Sequence, residues 1–216
     1  MEPAPHPAIR VATEADAPAI RRIKAPYVEK TAYNFAYEPP TTDEVAADIR
    51  ATLARYPFLV AEAAAYDAAA ARADPSDSPR LIGFAQAEPY RAREADQWNV
   101  ELTIYLDETA AGRGIGRALY QELLRLLAAQ HARNAYACVT AGNTASLAFH
   151  RALGFTEVGH FPKTGYKLGA WHDTVYLWKP LGEVGAAPEP FIPFPRLAKD
   201  DLDMGAAWVA PATTHP

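Results

Sequence analysis

Runs of apolar residues separated by polar turns divide most of the chain into alternating strand-like and helix-like segments. Seven runs are rich in β-branched, aromatic and other apolar residues, and VELTIYL at 100–106 is the clearest of them. Because helical patterns separate several of these runs, the sequence predicts an α/β domain. The predicted strands cover residues 8–12, 58–64, 80–90, 100–106, 135–141, 156–162 and 174–181.

Four segments carry helix signals. Thr13 and Asp16 form a capping-box-like start to the first helix, and Thr42 is predicted to cap the second. A third helix follows a glycine-rich turn, and a short fourth within NTASLAFHRALGF (143–155) ends at Gly154. The third helix has one apolar face, formed by Leu119, Leu123, Leu126 and Leu127.

Three stretches lack this periodicity. Residues 1–7 contain three prolines and predict a flexible N-terminus. The Ala/Asp/Pro stretch at 64–79 is too polar to bury and predicts a mobile hairpin loop. Residues 182–216 are rich in proline and predict a tail, which leaves residues 8–181 as one domain.

Composition and charge narrow the classes of protein. The chain has 216 residues and a net charge of −5, so it lacks the basic excess needed for generic binding to nucleic acid or anionic membranes. The single cysteine, Cys138, excludes an internal disulfide framework and a cysteine-based zinc site, and we expect no metal. No apolar run approaches the roughly 18 to 20 residues that span a bilayer. The N-terminal residues do not resemble a secretory signal, so we expect a cytoplasmic protein.

A glycine-rich turn follows the strand at 100–106 and leads directly into the third helix. Gly112, Gly114 and Gly116 allow backbone N–H groups to converge, and the helix adds the positive end of its dipole. This geometry suits a pyrophosphate. The turn is neither a Walker loop nor a dinucleotide fingerprint, and taken alone it is equally well explained as an ordinary glycine turn before a helix.

Six separate segments carry further motifs in a consistent order, namely TAYNFAYEPP, RYPFLVAE, WNVELTIYLD, GRGIGRALY, NTASLAFHRALGF and GYKLGAWHD. With the order of the predicted elements, they resemble the GCN5-related N-acetyltransferase (GNAT) fold over roughly residues 8–181. The chain is most similar to the phosphinothricin and methionine sulfoximine acetyltransferase branch of that family. The resemblance implies an α/β (α+β) fold, with a mixed, mostly antiparallel sheet of about seven strands that is flanked by helices and splayed between strands 4 and 5.

The resemblance implies that acetyl-CoA is the cosubstrate and lies in this splay. The pantetheine amides pair with the fourth-strand backbone at Leu102, Thr103 and Ile104, and Asn143 and Ser146 contact the CoA arm. The family usually has Gln or Arg where this chain has Ala111, so we expect weaker contacts there. The residues implied to hold the pyrophosphate are Gly112, Arg113, Gly114, Ile115, Gly116 and Arg117.

The same resemblance assigns catalytic roles to two residues. Glu101 is implied to be the general base, because an ammonium must lose a proton before its nitrogen attacks a carbonyl. His150 is implied to protonate the departing CoA thiolate or to assist the base. Tyr105 and Tyr120 are candidate helpers and are equally well explained as core aromatic residues. We expect Cys138 to be buried, inert packing, and therefore expect direct acetyl transfer without an acyl-cysteine.

Two basic residues ahead of Glu101 suit an anionic substrate, although by themselves they are better explained as part of a solvated surface. Arg91 and Arg93 alternate on what we predict to be a strand extension, where guanidinium groups on one face would hold a carboxylate or phosphinate. The resemblance places both in the substrate pocket, together with Phe35. It also shows a departure, because close relatives have tyrosine where this chain has Asp96, whose charge would weaken binding of a dianionic ligand.

The sequence therefore predicts an N-acetyltransferase for the α-amino group of a small amino-acid analogue such as phosphinothricin or methionine sulfoximine. Alternatives are acetylation of a peptide N-terminus or a polyamine, and a non-catalytic acyl-CoA-binding module. A homodimer is also implied. Four further residues match the branch and could hold loops or a dimer contact: Trp98, Tyr166, Trp171 and His172.

Overall fold

A seven-stranded sheet flanked by helices forms the body of the protein, in a computed structural model that describes residues 8–63, 80–110, 112–183 and 187–197. The flexible N-terminus predicted at 1–7, the hairpin loop predicted at 64–79 and Ala111 lie outside the described residues.

The described residues contain all of the predicted strands and helices. Of these helices, none is both long and apolar enough to cross a membrane. The strands are β1 (Ala8–Val11), β2 (Phe58–Glu62), β3 (Leu81–Pro89), β4 (Asn99–Leu106), β5 (Asn134–Thr140), β6 (Thr156–Lys167) and β7 (Ala170–Pro180). The helices are α1 (Ala17–Lys30), α2 (Thr42–Leu53), α3 (Ile115–Ala129) and α4 (Thr144–Ala152).

The sheet has the order β1-β2-β3-β4-β5-β7-β6, and β4–β5 is its one parallel pair within the described chain. This pair is short, since β4 pairs with β5 only from Asn99 to Glu101. Beyond Glu101 the two strands separate. The predicted mixed, mostly antiparallel sheet with a splay between strands 4 and 5 is confirmed.

Side-chain caps fix where two of the helices begin. The prediction that Thr42 caps α2 was wrong by one residue. Thr41 is the cap: its hydroxyl accepts a hydrogen bond from the Glu44 N–H at 3.2 Å, and the Glu44 carboxylate accepts one from the Thr41 N–H at 2.7 Å. Thr42 is the first helical residue instead. At α4, Asn143 Oδ1 accepts the Ser146 N–H at 3.1 Å, as expected for an N-cap.

Helices cover both faces of the sheet. The predicted leucine face of α3 is fully buried against one face, and α1 and α2 bury Ile20 and Ile49 against Phe58 and Phe84 on the other. The sheet is therefore the middle layer, and any site at the splay lies between two fixed helical layers.

The last two strands form a longer hairpin than the sequence predicts. β6 continues five residues beyond its predicted end, and the turn contains Leu168 and Gly169, both with positive φ. The segment GYKLGAWHD, which lies between the two predicted strands, therefore forms the tip of this β6–β7 hairpin.

Part of the predicted tail packs onto the domain. Residues 187–197, which we call the C-terminal segment, lie where α2 and α3 end. Gln130 Nε2 donates to the Ile192 carbonyl at 2.8 Å, and the Trp98 indole N–H donates to the Glu189 carbonyl at 2.7 Å. The segment contributes three buried side chains to the core, those of Phe191, Phe194 and Leu197.

Candidate active site

A cleft of about 100 Å³ opens between β4 and β5 where their pairing ends, and we call it the β4–β5 cleft. Its walls combine β4 and β5 with the start of α4 and with Tyr27 and Tyr33 from the other face of the sheet. The structure thus brings together six of the residues proposed from the sequence, namely Leu102, Thr103, Ile104, Asn143, Ser146 and His150.

The glycine turn lies beside the end of β4. Gly112 and Gly114 have φ values of +74° and +78°, which favour glycine, and Gly114 is the N-cap of α3. A Cβ at Gly116 would lie 3.3 Å from the Leu106 side chain and 3.5 Å from that of Ile104. Since the exposed N-terminus of α3 is held against the cleft-lining strand, the turn can serve an anionic group of a ligand in the cleft.

Tyr120 and His150 form a buried hydrogen-bonded pair in the wall of the β4–β5 cleft. His150 Nδ1 lies 2.8 Å from the Ser146 carbonyl oxygen, which can only accept, so Nδ1 carries the hydrogen. Nε2 is then the acceptor for the Tyr120 hydroxyl at 3.0 Å. Burial lowers the pKa of His150 and raises the pKa of Tyr120, so both side chains are neutral. The protic group that this pair adds to the cleft wall is the Tyr120 hydroxyl.

Glu101 lies at the point where the β4–β5 pairing stops, and a second carboxylate is its neighbour. Glu88 on β3 is the direct cross-strand partner of Glu101, and Tyr136 on β5 is its partner on the other side. Burial, followed by the negative charge of Glu88, raises the pKa of Glu101. A half-buried carboxylate with a raised pKa is suited to accept a proton near neutral pH.

A larger cavity of about 470 Å³ lies beside Tyr136, the β5 partner of Glu101, and we call it the aromatic cavity. Tyr90 and Tyr136 stack with ring centroids 4.3 Å apart in its wall, and Phe35 enters from the loop between α1 and α2. The sequence reasoning missed the tyrosines. Their spacing could have indicated them, because side chains two residues apart on a strand lie on the same face. Tyr90 lies two residues after Glu88, and Tyr136 lies two residues before Cys138. The other lining residues are Arg91, Cys138, Val158, Gly159, Phe161, Thr164, Thr174 and Tyr176.

The two arginines predicted to share one face are not on a strand extension. β3 ends at Pro89, which has no N–H to continue the pairing, and the chain then enters a short 3₁₀ turn. Arg91 lines the aromatic cavity, with its guanidinium 5.0 Å from the Tyr90 ring centroid. Arg93 precedes the turn as its N-cap and is not among the residues that line the cavity.

Asp96 ends this 3₁₀ turn on the side of the aromatic cavity. Burial raises the pKa of Tyr136, the positive charge of Arg91 opposes this rise and the negative charge of Asp96 adds to it. Arg91 and Asp96 therefore act on the same hydroxyl of the cavity wall with opposite signs.

Cys138 is exposed, which corrects the expectation of a buried packing residue. Its neighbours Ala137 and Val139 point into the core, whereas the Cys138 side chain lies on the face that the splay uncovers. The thiol lines both the β4–β5 cleft and the aromatic cavity, so the two spaces adjoin at Cys138. Desolvation raises the pKa of the Cys138 thiol, which disfavours the nucleophilic thiolate.

The described residues include no group of three or more His, Cys, Asp or Glu side chains that could hold a metal ion. The site consists of a backbone-lined cleft and an aromatic cavity. Glu101 lines neither, but it precedes Leu102 of the cleft and is the strand partner of Tyr136 of the cavity.

Comparison with known proteins places this geometry among acetyltransferases. Residues 9–176 match the family described as "Acetyltransferase (GNAT) domain". The phosphinothricin N-acetyltransferase of Streptomyces viridochromogenes is 36% identical over 88% of this chain and 95% of its own length. An L-methionine sulfoximine/L-methionine sulfone acetyltransferase of Pseudomonas paraeruginosa is 32% identical over 62% of this chain and 70% of its own length. A crystal structure of a phosphinothricin acetyltransferase from Sinorhizobium meliloti in complex with AcCoA superposes with a TM-score of 0.76 and 32% identity, covering 86% of this chain and 94% of that one.

Proposed function

The chain belongs to the GNAT acetyltransferase family, and we propose that it transfers the acetyl group of acetyl-CoA directly to the α-amino group of a small amino-acid-like substrate. One observation carries this proposal: the β4–β5 cleft and the aromatic cavity adjoin at Cys138, and Glu101 lies next to both, preceding Leu102 of the cleft and paired with Tyr136 of the cavity. Two adjoining spaces can hold both substrates at once, which supports direct transfer within a ternary complex and without an acyl-enzyme.

The residues of the β4–β5 cleft fit acetyl-CoA. Beyond Glu101 the edge of β4 that faces β5 has no strand partner among the described residues, so the backbone around Leu102–Ile104 can pair with amides of a ligand. The glycine turn offers N–H groups and the dipole of α3 to a pyrophosphate, and Arg113 and Arg117 add positive charge. When bound, acetyl-CoA supplies the activated acetyl thioester.

Glu101 is the general base of the proposed reaction. It accepts one proton from the substrate ammonium, either directly or through one water, and thereby frees the nitrogen lone pair. Its raised pKa, caused by burial and by Glu88, moves it towards the working pH of such a base.

The Tyr120–His150 pair serves the other side of the reaction. We assign the proton for the departing sulfur to Tyr120 Oη, because His150 uses its one N–H on the Ser146 carbonyl. Before the reaction the Tyr120 hydroxyl donates to His150 Nε2, so its hydrogen has to turn from Nε2 to the sulfur for this step. We therefore propose that Tyr120 and His150 share the role of protonating the departing thiolate, which the resemblance gives to His150 alone.

The aromatic cavity favours an amino acid over the other amines considered. Arg91 supplies one guanidinium for a carboxylate, and the aromatic walls suit the carbon chain of a small side chain. Relatives named for phosphinothricin and for methionine sulfoximine support this substrate class. A polyamine has no carboxylate for Arg91 to bind.

A homodimer stays a prediction. It is supported by large apolar side chains exposed on the β6–β7 hairpin, those of Tyr166, Leu168 and Trp171.

The decisive experiment follows thiol release from acetyl-CoA with a panel of amino acids, their analogues, a peptide and a polyamine. We expect activity with small amino acids, and Glu101→Gln should lower turnover by roughly 10² to 10⁴ with part of the loss recovered at alkaline pH. Recovery is expected because solvent then deprotonates more of the free amine before binding.

The matched control is Cys138→Ala, which alters the same wall and should keep turnover within a few-fold of the wild type. Activity lost in Cys138→Ala, with an acetylated cysteine in the wild type, would contradict direct transfer. Wild-type turnover in Glu101→Gln across the pH range would remove Glu101 as the base.

A further inference from the structure

Lys167 is a buried ammonium near the tip of the β6–β7 hairpin. Its side chain belongs to a residue only 4% exposed. Nζ donates to the Val28 carbonyl at 2.5 Å and to the Asn34 carbonyl at 2.6 Å. Within the described part of the chain, no carboxylate is paired with it, and burial lowers the pKa of Lys167. A lysine in such surroundings needs these acceptors to remain buried.

Both acceptors belong to the connection that leads out of α1. Val28 lies in the last turn of α1, where carbonyl groups have no partner inside the helix and a positive charge is favoured by the helix dipole. Asn34 lies in the loop of residues 31–37 that follows. Lys167 therefore joins the end of α1 and loop 31–37 to a hairpin more than 130 residues away in sequence.

Loop 31–37 carries Phe35, which lines the aromatic cavity. Asn34 also donates from Nδ2 to the Tyr105 hydroxyl at 2.7 Å, so the residue before Phe35 is held on two sides. The Phe35 ring lies directly on the hairpin backbone, because a Cβ at Gly165 would overlap it.

One further contact joins the same surfaces, since the Tyr37 hydroxyl donates to the Tyr166 carbonyl at 2.7 Å. A second holds the hairpin itself together, since His172 Nε2 lies 2.9 Å from the Lys167 carbonyl oxygen. Of these contacts, the hydrogen bond from the Lys167 ammonium is buried and made by a charged group. Its loss would leave a buried carbonyl without a donor.

We propose that Lys167 is a positioning residue for the amine substrate: it holds loop 31–37 against the β6–β7 hairpin and so fixes Phe35 over the aromatic cavity. This inference rests on the proposed function for the identity of the cavity as the amine site. Lys167 lines neither the cavity nor the β4–β5 cleft, so it acts through Phe35.

The test compares Lys167→Met with Lys163→Met, an exposed lysine on the same strand. We expect Lys167→Met to raise the KM for the amine roughly 10-fold and the KM for acetyl-CoA by a smaller factor, since loop 31–37 also carries Tyr33 of the cleft wall. Amide hydrogen exchange should speed up in residues 31–37 and stay unchanged in β4. Lys163→Met should behave as the wild type in both measurements.

Two additional variants separate positioning from general stability. Gly165→Ala keeps the ammonium but displaces the Phe35 ring, so it should give the same KM split even if Lys167→Met does not fold. In a Phe35→Ala background, Lys167→Met should add little to the KM for the amine, because the side chain that it positions is gone.

Equal changes in both KM values, unchanged exchange of residues 31–37, or full additivity with Phe35→Ala would overturn the inference. If the wild type acetylates no amine, the proposed function fails, and hydrogen exchange still decides whether Lys167 holds the loop.

Discussion

The β4–β5 cleft takes most of its wall from two short stretches of chain, residues 102–105 and 137–150, whereas the aromatic cavity takes one to four residues from each of five segments. The cleft exists because two strands stop pairing after Glu101 and a helix begins beside the gap. The aromatic cavity exists because side chains from loop 31–37, the end of β3, β5 and the β6–β7 hairpin converge over the sheet.

The difference separates what each space can recognise. Backbone groups and a glycine turn offer the same contacts whatever the neighbouring side chains are, which suits a cosubstrate that does not vary. Side chains on loops can change one at a time, which suits a substrate that differs among relatives. Substitutions in the two spaces should therefore affect the two Michaelis constants separately.

The largest change in a Michaelis constant is expected from a substitution in the aromatic cavity. Arg91→Ala should raise the KM for an amino acid by roughly 10- to 100-fold, because a hydrogen bond to a charged group contributes about 1.5–3 kcal/mol. Arg93→Ala is the matched change two residues away, and its effect should be several-fold smaller because Arg93 does not line the cavity. Steady-state kinetics with both substrates varied measures this. A larger effect from Arg93 than from Arg91 would contradict the structure.

A smaller effect is expected at the glycine turn. A Cβ at Gly112 meets no atom within 4 Å, so Gly112→Ala introduces only backbone strain at φ +74°. That strain costs about 1–2 kcal/mol for a residue with a side chain, and relaxation of the turn should raise the KM for acetyl-CoA by up to ~10-fold.

Gly142→Ala is the matched control, because Gly142 also has open space and needs no positive φ. The KM for the amine should not change in either variant. A change in the amine constant with Gly112→Ala would show that the two spaces are coupled.

The smallest effect is expected on the pH profile, from a change at Glu88, the strand partner of Glu101. The negative charge of Glu88 raises the pKa of Glu101, so Glu88→Gln should lower that pKa and move the acid limb of kcat/KM to lower pH. Glu88 is exposed and also faces Asp48 on α2 and Lys24 on α1, so the shift should be small.

The plateau of this profile at high pH should stay the same, because Glu101 is ionised there in both proteins. Glu94→Gln removes an exposed charge from the neighbouring 3₁₀ turn and should leave the acid limb in place. An unmoved limb in Glu88→Gln would show that the cross-strand charge does not reach the base.

The part of the site whose residues lie close together in the sequence could be predicted. The strand at 100–106, the glycine turn and the leucine face of α3 are local patterns, and they place the cleft residues in order. The sheet and its splay followed from the order of elements and the family resemblance, and the structure confirms both.

The features that depend on distant contacts could not be predicted in the same way. Cys138 lies on an apolar strand, yet its side chain is on the face away from the core, beside the splay, and is exposed. Lys167 lies in a polar segment, and nothing nearby in sequence indicates that carbonyls from α1 and loop 31–37 surround it. The 3₁₀ turn after Pro89 replaced a predicted strand extension, because alternation alone does not show where pairing ends.

The C-terminal segment extends the folding unit beyond the residues that match the family model. The family match ends at residue 176, yet Phe191 packs edge-to-face on Tyr56 with ring centroids 5.5 Å apart, and Phe194 is also buried. Burying one such side chain contributes about 1.5–3 kcal/mol, against a net stability of roughly 5–15 kcal/mol for a typical domain. A chain cut after residue 176 would therefore leave part of its core open to water, so the folding unit includes residues 187–197.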